Sequence, residues 1–378
     1  MTDIRIYVAI GLFIIACISL MVFNFVIIRI SRRKHTPSPR KIDNWMTILY
    51  TETLITGYTK PGSMKHDMFL FRKLSKTKHL VTYSYALEIL KSRFPKAYRD
   101  YVQNRYTTFR KLAFVYAGRP LVERTCYADL ISNFPELTGD SQEGLTDALI
   151  SYIDNSSIHC RTKVLSALCS MGNLQGVVNA LQVMNEKSLF IHNHLLTNEL
   201  SNFNGDKEAL AESLWREGQH WNSNFIVSVV QYITRFSNRY TEEFFPILQN
   251  PSANEDIRVA IVRYYEKHIY EPVRPLLIDF LYSHKNIDLS IEAASALRRY
   301  PATDTIEALK NALSNPEWHV RYNASASLLK IGNGDDILEV LHSDNTYKKE
   351  IIAYMLELEY ALYYKDSQND IFGEEENV

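Results

Sequence analysis

The chain has 378 residues, 46% of them apolar and 22% charged, with a formal net charge of −1. That composition excludes a wholly disordered chain, a collagen-like repeat and a disulfide-rich mini-protein, and the length suits two domains or one extended array. The small net charge conceals a division: residues 29–119 hold 20 Lys and Arg against 5 Asp and Glu, and residues 120–378 hold 21 against 37.

In chain order the first signal is a run without charge at residues 7–28. A helix of that length extends about 33 Å, against a hydrocarbon core of roughly 30 Å. It exceeds the roughly 7–15 residues of a signal-peptide core, and no small-x-small cleavage site follows it. Residues 1–30 are therefore predicted to be a retained transmembrane anchor. Arg29, Arg32, Arg33, Lys34, Arg40 and Lys41 follow it. They predict a single-pass protein of the cell membrane, N-out and C-in, with its mass in the cytoplasm. Cys126, Cys160 and Cys169 would then be free thiols in a reducing compartment, in keeping with the absence of C-x-x-C pairs. Residues 31–41, with Pro37 and Pro39 among basic residues, read as an extended linker.

Residues 42–119 form a basic helical region. Trp45, Ile48, Leu49 and Leu54 fall at helical spacing, and Leu80, Tyr83, Ala86, Leu87 and Leu90 make one stripe. Lys73, Lys76, Lys78, Lys91, Arg93 and Arg105 occupy the opposite faces, interleaved with Tyr83, Tyr85, Tyr98, Tyr101, Tyr106 and Tyr116. Three readings stay open for this mixture: a solvated face, a contact with anionic lipid or an anionic partner through Lys73, Lys76, Lys78, Lys91 and Arg93, and nucleic-acid binding over 60–119.

From residue 120 to 365 the chain repeats. VRYNASASLLKIGN at Val320 aligns with CRTKVLSALCSMGN at Cys160, matching Arg321 to Arg161, Leu328 to Leu168 and Gly332-Asn333 to Gly172-Asn173. The same frame starts near Ile191, Phe225, Ile257 and Leu289, with Leu297 in the Leu328 position. The starts are 31 to 34 residues apart, and each inner helix is followed by an apolar-periodic outer one. Two helices per period of about 32 residues predict an all-α fold, an α-solenoid following the anchor. Asp288, Thr303 with Asp304, and Asn315-Pro316 stand where helix starters belong. A last helix over TYKKEIIAYMLELEYALYYKD, apolar nearly all round, closes the array, and the acidic residues 366–378 read as a disordered tail.

The units VRYNASASLLKIG and D-x-x-[IV]-R-x-x-[AV] resemble HEAT repeats of the short bacterial type, including those similar to phycobilisome lyase repeats. The resemblance implies a right-handed superhelical scaffold that binds other molecules along its faces. It also implies that Arg161, Arg258 and Arg321 pair with acidic residues of adjacent repeats, for which Asp154, Asp256 and Glu317 are near in sequence. It implies no reaction.

Nothing else nominates chemistry. No His-Glu dipeptide of the hydroxylase kind occurs, and the net −16 of the array does not suit a DNA glycosylase. His192 and His194, two apart, would diverge on a helix. KIGNGDD lacks the Walker lysine and serine and reads as an inter-helix turn. The expectation is a non-enzyme without metal or cofactor and with no small-molecule substrate: a membrane-tethered adaptor binding a protein partner, such as an accessory subunit of envelope machinery like a membrane glycosyltransferase. The alternatives are a lyase or metal-dependent enzyme on HEAT scaffolding, or nucleic-acid binding through 60–119, which is the poorer fit because behind an anchor the anionic leaflet is the nearest negative surface.

Overall fold

The computed structural model describes residues 18–21, 39–55, 64–135, 137, 143–154, 157–282 and 286–373. Among these every regular element is a helix. The chain divides into two compact units, Met1–Met171 and Gly172–Val378.

The first unit holds α1 (Pro39–Tyr50), a π-helical turn (Thr51–Ile55), α2 (Met64–Leu74), α3 (Thr77–Arg93), α4 (Pro95–Gln103), α5 (Tyr106–Ala117), α6 (Leu121–Ser132), α7 (Glu143–Ile150) and α8 (Ile158–Ser170). Helices α1, α3, α6 and α8 pack in series as one layer, and α2, α5 and α7 as the other. The charge boundary at 119/120 therefore runs through one packed unit, because α3 contacts α6 and α5 contacts α7 across it. Hydrophobic periodicity, which sets packing, continues through a point where surface charge changes sign. Helix α4 is an insertion in this two-layer order and packs on α3 and the π-helical turn.

The uncharged run 7–28 lies outside the described residues except for 18–21, which are helical. Among the described residues no helix is long and apolar enough to cross a membrane. The expected single-pass anchor and the N-out, C-in placement that followed from it are corrected accordingly. Pro39 to Lys41, expected in an extended linker, instead open α1, since proline's fixed φ suits the first helical turn. Residues 31–38 lie outside the described residues.

The second unit holds α9 (Leu174–Glu186), α10 (Asn193–Ser201), α11 (Lys207–Gly218), α12 (Ser223–Phe236), α13 (Thr241–Gln249), α14 (Glu255–Lys267), α15 (Arg274–Leu281), α16 (Ile287–Ala296), α17 (Thr303–Ala312), α18 (Trp318–Ile331), α19 (Gly334–His342) and α20 (Thr346–Gly373). Helices α10, α12, α14, α16, α18 and α20 pack in series, and α11, α13, α15 and α17 each pack on the inner helix that follows. Each inner helix, including α8 of the first unit, begins within two residues of its expected start. This is the helix pairing of an α-solenoid, in which each pair buries its apolar face against its neighbours.

Leu168, Leu297 and Leu328 are fully buried. Leu297 lies just past α16, in a short 3₁₀ turn (Leu297–Arg299) rather than in the helix proper. The helix starts are capped mostly by asparagine: Asn173, Asn222, Asn254, Asn286 and Asn333 each accept a hydrogen bond from a first-turn amide. Asp288 and Asp304, expected as starters, sit inside the first turn, where their charge complements the helix dipole. Asn333 and Asp336 form a reciprocal capping box, so KIGNGDD is an inter-helix turn.

Helix α20 continues to Gly373, past the expected end at residue 365, because a nucleated helix gains one backbone bond per added residue. Of its apolar residues Ile351, Ile352 and Met355 are buried, whereas Leu356 is exposed. Residues 374–378 of the expected tail lie outside the described residues.

Buried tyrosines tie the layers together. The hydroxyls of Tyr116, Tyr127 and Tyr152 donate to the carbonyls of Leu74, Phe109 and Ala113, and those of Tyr265 and Tyr300 to the carbonyls of Thr241 and Tyr265. Each satisfies a polar group inside an apolar layer, where leaving it unpaired would cost about 1–3 kcal/mol.

Gly172 adopts φ +63°, and a Cβ there would stand 2.3 Å from the Asn204 carbonyl oxygen. Gly172→Ala should destabilise the second unit by about 1–3 kcal/mol, read as a lowered midpoint in urea. An unchanged midpoint would contradict this backbone geometry.

Candidate functional site

Arg161, Arg258 and Arg321 donate to backbone carbonyls, while the expected partners Asp154 and Glu317 act on Arg161 and Arg321 through their charge. Arg161 donates to the Asp154 carbonyl oxygen at 3.1 Å, while the Asp154 carboxylate is taken by Arg124 at 2.7 Å. Arg258 Nε donates to the Leu248 carbonyl at 3.1 Å, with its guanidinium 5.1 Å from the Phe280 ring centre. Arg321 donates to the carbonyls of Asn315 and Pro316 at 2.7 and 2.9 Å and lies over Tyr347. One repeat after Arg258, Ser290 performs the same task on the Phe280 carbonyl at 2.7 Å. The physical reason is geometric: the frame position faces the end of the preceding outer helix or its loop, where carbonyls lack intrahelical partners. Arg258→Ala should cost about 1.5–3 kcal/mol in chemical denaturation, the range for hydrogen bonds from charged donors, and Arg258→Lys should recover only part of it. Equal stability of all three proteins would remove this role.

Carboxylate pairing between repeats occurs at other positions. Arg263 meets Glu292 at 2.5 Å, Arg298 meets Glu266, Arg274 meets Asp304, and Lys163 meets Asp129 at 2.5 Å. Lys310, nearly buried, gathers Asp336 at 2.9 Å and Glu339 at 2.5 Å. Against the pull of burial, these carboxylates hold its ammonium above the usual lysine range.

The basic residues of the first unit divide. Burial, and then the charges of Lys73, Lys78, Lys76 and Lys41, hold the His79 imidazole below its ordinary value, so those lysines share one positive region. Lys91 and Arg93 lie at the other end of α3, about 20 Å away at 1.5 Å per residue. Lys91 lies 5.3 Å from the Tyr98 ring centre, and Arg93 reaches the Tyr50 hydroxyl at 3.5 Å. The five residues therefore do not form a single contact face. Tyr83, Tyr98, Tyr101 and Tyr116 are buried, which removes them from any base-stacking platform.

Arg105, placed from sequence on the face opposite the apolar stripe, is 5% exposed. Its Nη2 lies 3.5 Å from Glu52, its Nε 3.7 Å from Asp67, and its guanidinium 3.9 Å from the Tyr101 ring centre. The Tyr83 hydroxyl donates to the Tyr101 hydroxyl at 3.2 Å, which is 3.1 Å from His66 Nε2; His66 Nδ1 is 3.3 Å from Glu52. One assignment satisfies every member: Tyr83 donates to Tyr101, Tyr101 to His66 Nε2, and His66 Nδ1–H to the Glu52 carboxylate. Burial, and then the Arg105 charge, lower His66 to about 4. Burial pushes Tyr101 up to about 12. Sequence reasoning missed this cluster because its members are scattered over separate helices and a turn. No helical stripe carries Arg105, which lies in the turn between α4 and α5, four residues after Tyr101.

An imidazole held neutral by the fold makes folding resist protons. Unfolded His66 titrates near 6.5 and folded His66 near 4, so stability is complete above about 6.5 and declines as pH falls to about 4. The decline should amount to about 3 kcal/mol, because each tenfold change in proton affinity is worth about 1.4 kcal/mol. His66→Gln should flatten that part of a denaturation profile, and an unaltered profile would exclude His66 as its source.

His192 and His194 differ from expectation. His192 caps α10 from outside the helix, its Nδ1 accepting the His194 amide, and the two rings stack at 5.5 Å. Helical divergence does not apply to a residue that is not in the helix. Among the described residues no group of three or more His, Cys, Asp or Glu is placed to hold a metal ion.

Among the described residues grooves open on each unit. In the first unit Leu80, Val81, Ser84, Tyr85 and Glu88 of α3 face Cys126, Asp129, Leu130 and Asn133 around about 230 Å³. Burial raises the Cys126 thiol, with Asp129 and Glu123 adding to it. In the second unit Trp215, Gln219, Ile226, Glu243, Ile247 and Ile257 line about 460 Å³. Trp215 is fixed there: its Nε1–H donates to Glu243 at 2.8 Å, and its ring meets Phe244 edge-on at 5.0 Å. Trp215 and Ile247 each lie ten residues before the next inner-helix start, so two consecutive repeats bring one equivalent position each to this groove, to which Ile226 and Ile257 add.

The family model for HEAT repeats matches residues 274–354, from α15 into α20. Comparison with curated proteins and with solved structures gives no match.

Proposed function

We propose that this chain is a protein-interaction scaffold and not an enzyme. The observation that carries the reading is the run of helix pairs in the second unit, of which residues 274–354 match HEAT repeats. Such arrays present extended surfaces assembled from equivalent positions of successive repeats. Charged side chains are engaged in holding the fold together: Arg258 and Arg321 on backbone carbonyls, and Arg105 and His66 inside the first unit. The Tyr83–Tyr101–His66 chain is at most 7% exposed, so a substrate reaches it only if the helices part. The narrower expectation, an accessory subunit of a membrane glycosyltransferase or similar machinery, leaned on the anchor and is not carried forward.

The test is chemical cross-linking of the full chain in its native cells, followed by purification of the adduct's partner and titration of that partner against the purified chain. A discrete partner that binds saturably is the expected result. Adducts spread over abundant proteins, none binding saturably, would overturn the reading.

A further inference from the structure

Three elements of the first unit bring lysines to one place. Lys41 lies in the first turn of α1, Lys73 near the end of α2, Lys76 in the turn that follows, and Lys78 in the first turn of α3. Helices α1 and α2 both pack on α3, and the charges of all four lysines act on His79. Lys41, Lys76 and Lys78 are exposed, and Lys73 is half-buried with its ammonium 5.8 Å from the Phe69 ring centre. Carboxylates do not answer them. The sequence has no Asp or Glu between Asp67 and Glu88, and Glu52 and Asp67 are held by Arg105. Glu123, the acid shown at this end of α3, accepts the Thr77 hydroxyl at 2.7 Å. Among the described residues none of the four lysines is in an ion pair, whereas Arg105, Arg124 and Lys163 of the same unit are. Like charges held together without a counter-charge repel one another, and an arriving anion relieves that repulsion.

We infer that this lysine patch docks an acidic segment, rich in Asp and Glu, of a partner protein. The inference rests on the scaffold reading and adds an auxiliary contact to the surface of the repeats. A lysine ammonium is a point charge on a flexible stem, so it meets the carboxylates of an extended segment without a fixed geometry. Exposed ion pairs are individually weak and screened by salt, so the patch selects the sign of the partner's charge and speeds its approach. Single-stranded nucleic acid fits less well, because Tyr83, Tyr98, Tyr101 and Tyr116 are buried and leave its bases no platform. Lys91 and Arg93 meet Tyr98 and Tyr50 at the other end of α3 and are not part of the patch.

The experiment titrates the full chain at low salt with four probes: a fluorescent glutamate-rich peptide, its glutamine counterpart, a single-stranded oligonucleotide of equal charge, and vesicles containing phosphatidylserine. The glutamate peptide should bind and weaken as salt rises, and the glutamine peptide should not bind. Lys73→Gln/Lys76→Gln/Lys78→Gln removes three modest ion pairs and should weaken the glutamate peptide by about tenfold. Lys96→Gln/Arg99→Gln/Lys111→Gln, three exposed cations on α4 and α5, should not; circular dichroism confirms that both variants fold. The His79 ring signal in a nuclear magnetic resonance titration, assigned by its loss in His79→Gln, reports the place. Bound carboxylates offset the lysines and should move its midpoint upward. Equal weakening by the two variants, or a His79 midpoint that does not move, would show diffuse charge attraction and overturn the proposal. Tighter binding of the oligonucleotide or the vesicles than of the peptide, lost in the Lys73 variant, would assign the patch to another class of partner and overturn it as well. If no probe binds while a cross-linked partner still titrates saturably, the patch assignment falls and the scaffold reading stands.

Discussion

Leu328→Asp should unfold the C-terminal repeats. Leu328 is fully buried in α18, at the position that Leu168 and Leu297 occupy in other repeats, and both of those are also fully buried. The substitution removes an apolar side chain worth about 1.5–3 kcal/mol of burial and strands a carboxylate where water cannot reach it. A loss of about 4 kcal/mol or more follows, comparable with the whole stability margin of an ordinary domain. Helices α16 and α20 both pack on α18, so the damage should spread to its neighbours. In limited proteolysis residues from about 287 onward should become sensitive while the first unit stays resistant. A variant with the parent's melting profile and cleavage pattern would show that the repeat frame is misplaced.

Arg105→Ala should do comparable harm to the first unit. Removing the guanidinium leaves Glu52 and Asp67 without their common cation and takes away the stacking on Tyr101. Breaking one side of a buried ion pair costs about 3–5 kcal/mol, and the partial exposure of Glu52 and Asp67 places this loss toward the lower end. Two variants separate charge from volume. Arg105→Met keeps most of the stem but none of the charge and should be nearly as damaging as alanine; Arg105→Lys keeps charge without the fork that reaches both carboxylates and should fall between. If methionine restores the parent's stability, packing and not charge explains the residue.

The repeats were legible because helical period and repeat period are both written in apolar residues. The frame read from VRYNASASLLKIGN located α8, α10, α12, α14, α16 and α18 within two residues. Charge misled where periodicity did not. The basic and acidic stretches invited a boundary at residue 119, yet α3 packs on α6 across it, since layers are joined by buried stripes and not by the solvated faces. Arg161, Arg258 and Arg321 were found by their recurrence, but recurrence fixes a position and not the atom it meets. Their targets are carbonyls at the ends of preceding elements, which no side-chain pattern displays. The Glu52–His66–Tyr101–Arg105 cluster and the Trp215 groove were invisible for a related reason: each is assembled from separate helices, and only the packing brings its members together.

The proposal that the second unit serves as a docking surface for a protein is tested most directly by calorimetry. The full chain is titrated with the purified cross-linked partner, once as the parent and once as the Leu328→Asp protein. Saturable binding to the parent, lost when the repeats unfold, is the predicted result. Binding of equal strength to both proteins would place the docking surface outside the repeats and contradict the proposal.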